Sequence, residues 1–231
     1  MKRMIALLLC VAALLALAAC GEKAAAPDEH AETETADGET TATVGGWKRP
    51  DSPVVTEELS AKLEKALDGL VGARYTPVAY LGSQLVNGTN YALLCRVAPV
   101  VPDPVETYAI VHLYETLDGE VSITDVLESG KETGLNGMTG SWTESESLEV
   151  PEDVKTSLEK AVEGKLGAAY APVALLSTQL VSGMNDCLLC EVTPVVPNPE
   201  SSYVLVYLYV NLDGNAELTE TVEFVSQNAE G

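Results

Sequence analysis

Twice along this chain, apolar residues at helical spacing give way to runs that alternate apolar and polar positions. Leu59, Leu63, Ala66, Leu67 and Leu70 line one face of a helix, with Thr56 as N-cap and Glu57 and Glu58 in the first turn. Val154, Leu158, Ala161, Val162 and Leu166 repeat that face, and Pro151 suits the first helical position. Both patterns stop near a glycine, Gly72 and Gly167. A strand is then predicted over 77–84, ending at Asn87-Gly88, the pair that best accommodates a type I′ hairpin turn. On the return strand the charge of Arg96, and of Glu191 in the second copy, marks the solvent face. That leaves Leu93, Cys95 and Val97, and likewise Leu188, Cys190 and Val192, toward the core. Proline-rich loops follow at 99–104 and 194–199. Another strand over 108–115, a turn at Leu117-Asp118-Gly119 and a last strand over 120–126 complete the pattern.

A constant offset of 95 residues carries Gln84 to Gln179, Trp47 to Trp142 and Leu117-Asp118-Gly119 to Leu212-Asp213-Gly214, with no gap. About half the positions of 63–127 are identical to their partners, so the chain contains a duplicated unit. The expected organisation is two domains, 45–128 and 140–231, joined by a Gly-rich linker over 129–139. Each is expected to be α+β, with one N-terminal helix packed on a four- to five-stranded antiparallel sheet.

Residues 1–20 have the features of an export signal: Lys2 and Arg3, an apolar run over 4–16, then Leu17-Ala18-Ala19-Cys20. A small-residue triplet ending in cysteine resembles the lipobox of bacterial lipoproteins, which implies a lipid on Cys20 and a chain held at the cell surface or on the outer leaflet of a membrane. Residues 21–44, rich in Ala, Glu, Thr and Asp and free of aromatics, read as a flexible acidic stalk. A net charge of -22 with no basic stripe argues against nucleic acid as a partner. Beyond the signal and Cys20 there are three thiols, Cys95, Cys187 and Cys190, an odd number that makes no closed disulfide framework. In a strand, Cys187 and Cys190 point to opposite faces, which argues against a shared metal or a redox pair. With His30 and His112 the only histidines and no nucleophile elbow, the residues point away from an enzyme and call for no cofactor and no metal.

The stretch Gln84-Leu85-Val86-Asn87-Gly88-Thr89-Asn90-Tyr91, followed by Val111-His112-Leu113, resembles the cystatin family of papain-like cysteine protease inhibitors and its Gln-x-Val-x-Gly hairpin. The second copy, Gln179-Leu180-Val181-Ser182-Gly183-Met184-Asn185, carries the same pattern less fully. The resemblance implies a cystatin-like fold and a wedge of three elements that enters a protease cleft without offering a scissile bond. In the first unit the wedge would be Gly45 and Gly46, then Gln84, Leu85, Val86, Asn87 and Gly88, then Leu117 and Asp118. In the second it would be Gly140, then Gln179, Leu180, Val181, Ser182 and Gly183, then Leu212 and Asp213. Both copies have Asp-Gly where extracellular members carry Pro-Trp, which removes an aromatic anchor. The implied partner is a papain-like cysteine protease, of a host or of the bacterium, and the inhibition would be reversible.

The alternative is a non-inhibitory surface module that binds through the column Tyr108, Ile110, His112 and Tyr114. The same column could instead be where the two units pack together.

Overall fold

In the computed structural model, which describes residues 46–226, strand makes up 51% and helix 12%. The first repeat forms β1 (Trp47–Lys48), α1 (Glu57–Leu67), β2 (Ala73–Val86), β3 (Gly88–Pro99), β4 (Thr107–Glu115) and β5 (Val121–Glu132). The second forms β6 (Thr143–Glu144), α2 (Glu152–Val162), β7 (Ala168–Val181), β8 (Gly183–Pro194), β9 (Ser202–Val210), β10 (Ala216–Glu223) and β11 (Val225–Ser226). The strands make two antiparallel sheets, ordered β1-β2-β3-β4-β5-β11 and β10-β9-β8-β7-β6.

Local chemistry accounts for the helices. The Thr56 hydroxyl accepts from the Leu59 amide at 3.2 Å, filling one of the free donors of the first turn of α1. Pro151 takes the N-cap position of α2, one residue before the position its sequence suggested, and offers no side-chain cap. Leu59 and Leu63 bury against Leu93, Cys95, Val111 and Leu113, and Leu158 and Ala161 bury against Leu188, Cys190, Val206 and Leu208.

The largest buried cluster, however, lies between the two sheets. Ala79, Leu81, Ala92, Leu94, Tyr108 and Ile110 of one sheet meet Ala174, Leu176, Cys187, Leu189, Leu205 and Tyr207 of the other. This arrangement corrects the expected α+β, cystatin-like helix-on-sheet unit of four to five strands duplicated in tandem. The protein is predominantly β, its sheets have six and five strands, and one strand of the first sheet, β11, comes from the second repeat. Val225 pairs with Glu128 and Ser226 with Leu127. The described residues, 46–226, all belong to one compact unit. The physical reason is in the strands themselves: Ala92-Leu93-Leu94-Cys95 is apolar on both faces, the mark of a strand covered on both sides. Arg96 and Glu191, taken to mark a solvent face, sit at the rim of the buried one. β5 also runs on through Ser129 to Glu132, residues expected to form part of a linker.

Several contacts recur at the 95-residue offset, and two ion pairs between the repeats do so as an approximate two-fold. Within the first repeat Trp47 lies against His112 with ring centres 5.6 Å apart, and within the second Trp142 lies against Tyr207 at 5.5 Å. Arg49 pairs with Glu191, and Arg96 with Glu144 at 2.8 Å. Such an interface is self-complementary in shape, but its charges are not self-complementary: the first repeat supplies both arginines and the second both glutamates. Pairing first repeat with first repeat would oppose arginine to arginine, so charge selects the mixed pairing. Arg96 also reaches Glu106 at 3.3 Å. Arg96→Glu should therefore gather three carboxylates and cost about 1–2 kcal/mol, and the exchange Arg96→Glu with Glu144→Arg should recover most of it, measured by urea unfolding.

Candidate functional site

The N-terminal strand, the β2–β3 hairpin and the β4–β5 turn meet at one end of the first sheet. Trp47 pairs with Gln84 in antiparallel register, which directs Gly46 toward Leu85 and the hairpin tip. Thr89 pairs with Glu115, so the strand leaving that tip lies beside the strand entering the Leu117-Asp118 turn. The turn is closed by the Gly119 amide donating to Thr116 O at 3.0 Å and the Thr116 amide to Glu120 O at 2.9 Å. Leu85, Val86 and Leu117 are exposed, Leu117 at 78%.

The hairpin is held by side chains as well as by its ladder. Asn90 Nδ2 donates to Gln84 Oε1 at 2.7 Å across the strands. The Tyr114 hydroxyl donates to the Asn87 carbonyl, tying the tip to β4. Gly88 has φ +124°, and a Cβ there would lie 2.3 Å from Glu115 O. The expected type I′ turn, with positive φ at both Asn87 and Gly88, is corrected: Val86 pairs with Gly88 around Asn87, and of the two only Gly88 has positive φ. The glycine is required by close approach to β4 as much as by the turn.

The second repeat builds the same end. Asn185 Nδ2 donates to Gln179 Oε1 at 2.8 Å, Tyr209 Oη donates to Ser182 O at 2.6 Å, and Gly183 has φ +125°. Gln179 Nε2 donates to Gly140 O at 2.6 Å, which holds the segment before β6 against the hairpin. Leu180, Val181 and Leu212 are exposed, Leu212 at 82%, with Asp213 beside it in the turn. Arg49 meets Glu191, and Tyr203 Oη donates to Leu81 O, so the first tip lies over the proline-loop end of the second sheet. The two tips therefore face opposite ends of the sandwich.

Of the wedge residues taken from sequence, Gly46, Gln84, Leu85, Val86, Asn87, Gly88, Leu117 and Asp118 come together at one end. Gly140, Gln179, Leu180, Val181, Ser182, Gly183, Leu212 and Asp213 come together at the other. Gly45 and Cys20 lie outside the described residues, as do the export signal and the stalk. Sequence reasoning missed Tyr114 and Tyr209 as tethers of the tips. Their equivalence at the 95-residue offset was the available signal.

The ends differ in electrostatics. Behind the first tip, Lys62 Nζ donates to Glu115 Oε1 at 2.6 Å and the Tyr91 hydroxyl to Oε2 at 2.9 Å, and these two bonds hold the Glu115 carboxyl below the usual range. Ser157, Val210 and Asp186 occupy the equivalent positions in the second repeat. Burial, with a smaller contribution from Asp153, pushes the Asp186 carboxyl up to about 6. A raised folded-state pKa means that this group's contribution to stability is fully present below pH ~4 and lost as pH rises through ~6. Asp186→Asn should therefore add about 1–2 kcal/mol at pH 7.5, a rise in Tm of about 4 °C, and nothing at pH 4, read by thermal unfolding at both pH values.

Burial pushes the thiols of Cys95, Cys187 and Cys190 up to about 12, so they stay protonated and unreactive. Cys187 lies in the inter-sheet core and Cys190 beneath α2, on opposite faces of β8. No family model matches this chain, and no curated protein matches it.

Proposed function

We propose that the chain is a reversible inhibitor of papain-like cysteine proteases that plugs their clefts with the hairpin ends just described. The observation behind this reading is the convergence, at each end, of a glycine-led strand, a Gln-x-Val-x-Gly hairpin and a second turn, with the leucines at the tips exposed. Soluble folds seldom leave three neighbouring apolar side chains at a loop tip without use. A tip braced by Tyr114 or Tyr209 needs little further ordering to enter a preformed concave cleft, which favours binding. Such contacts bury on the order of 800 Å² per partner, with a few anchors dominating. Leu85, Val86 and Leu117 are the anchors at the first end.

The competing reading, a surface module that binds through the aromatic column of β4, has less support, because two of the column's four residues are covered. Tyr108 and Ile110 are buried between the sheets, and His112 lies behind Trp47. Presentation at a membrane by a lipid on Cys20 belongs to the same proposal, with the net charge of -22 keeping the protein soluble and off anionic lipid.

Titration of papain with the protein tests the reading. Inhibition at micromolar concentration or below is expected, and Leu85→Ala with Val86→Ala should weaken the first end at least tenfold. Because the ends face apart, two papain molecules should bind one chain, counted by light scattering. Absence of inhibition from both ends would defeat the proposal.

A further inference from the structure

Where the repeats diverge, the two-fold interface opens on one side. Beneath Trp142 the space between the sheets is filled by the Tyr207 ring, with Lys131 Nζ 4.2 Å from its centre. The loop at Gly134 closes over that side, leaving a Cβ there only 2.5 Å from the Trp142 ring. At the equivalent place on the first side stands His112, with Ala92 where the other side has Cys187. Trp47, the counterpart of Trp142, is half exposed. The smaller side chains leave a crevice of about 580 Å³ between the sheets. Leu81, Ala92 and Ile110 form its floor, and Trp47, His112 and Phe224 its walls. Phe224 is the only phenylalanine in the chain, and its equivalent in the first repeat is Ser129. A crevice of similar volume at the other end is lined by Gly137, Met138 and the Arg96–Glu144 pair and does not reach the inter-sheet floor.

We propose that the crevice behind Trp47 binds a small, uncharged, planar aromatic molecule. Its volume falls within the range of about 300–1,000 Å³ typical of small-molecule sites. An apolar floor between aromatic walls suits a flat ring, which gains from offset or edge contacts beyond its burial. The rim carries Lys48 and Arg49 against Glu191 and Glu200, charges that cancel and favour a neutral guest. His112 supplies the polar handle: burial holds its imidazole below the usual range, so at neutral pH it offers one N–H and one acceptor. The lining of the crevice contains none of the exposed tip side chains, and its ligand can be tested apart from protease binding.

N-phenyl-1-naphthylamine, neutral and fluorescent in apolar surroundings, is a suitable probe. One equivalent should bind with micromolar affinity and quench Trp47, measured in the Trp142→Phe background. His112→Tyr copies the residue that fills the other side, so it should weaken binding at least tenfold while leaving Tm within a few degrees. Trp47→Ala, at a half-exposed position, should also weaken it tenfold, with retention of the fold checked by circular dichroism. Binding that is undetectable at 100 μM probe, or unchanged in both variants, would overturn the proposal.

Discussion

Replacing Leu94 with alanine should destabilise both repeats together. Leu94 is fully buried and belongs to the cluster that joins the inner faces of the two repeats. A truncation at such a site removes its transfer energy and leaves a cavity, at a cost of about 3–5 kcal/mol. In a chain of two independent tandem domains that loss would fall on the first alone, and the second would unfold where it did before. With a shared interior, neither sheet can keep its inner face covered once the other is lost. A single cooperative transition, shifted as a whole, is the expected result. Each tryptophan reports on one repeat, so urea unfolding of the Trp47→Phe and Trp142→Phe forms, each with and without Leu94→Ala, gives the answer. The two tryptophan reporters are expected to give coincident curves without Leu94→Ala and again with it, the second pair shifted together to lower urea. Curves that separate would mean that the repeats fold alone, and Leu189→Ala, the equivalent change, should then act on the other tryptophan only.

The sequence carried the local structure and much of the ends. Thr56 marked the start of α1, the spacing of Leu59 and Leu63 marked its buried face, and Leu117-Asp118-Gly119 marked a turn. These features depend on neighbours a few residues away, which sequence records directly. The pairing of repeat with repeat was harder to see because its evidence is spread between positions far apart. Arg96 and Glu144 are ordinary charged residues until they meet, and an arginine on a strand reads equally as a solvent face or as the rim of an interface. Apolar residues on both faces of β3 and β8 were the stronger signal, and the charge at Arg96 outweighed it. The crossing of Val225 and Ser226 to the first sheet had no local mark at all, since a two-residue strand has no period. At the ends, the glycine of each hairpin was legible as a turn residue, whereas its contact with the next strand depends on tertiary placement.

That contact makes Gly88 the position where one added methyl group should matter most. A Cβ there would sit 2.3 Å from Glu115 O and 2.8 Å from the Tyr114 ring, and the first of these is a backbone atom that cannot swing aside. Its φ of +124° is also one that side-chain-bearing residues rarely adopt. Gly88→Ala should cost about 3 kcal/mol, at the upper end of what a strained backbone site carries. Gly119 provides the comparison, with φ +82° but nothing within 4 Å of its virtual Cβ, so Gly119→Ala should cost only about 1 kcal/mol. The strain at Gly88 can be relieved only by moving the hairpin away from β4, which breaks the bond from Tyr114 to Asn87 and carries Leu85 and Val86 away from Leu117. If the proposed wedge is the inhibitory element, Gly88→Ala should therefore weaken papain inhibition by the first end at least tenfold at temperatures where the variant remains folded. Gly183→Ala should do the same at the second end, where Val210 O stands in the equivalent place. Loss of stability with undiminished inhibition would separate the two properties, and would mean that the aligned tips are not what the protease meets.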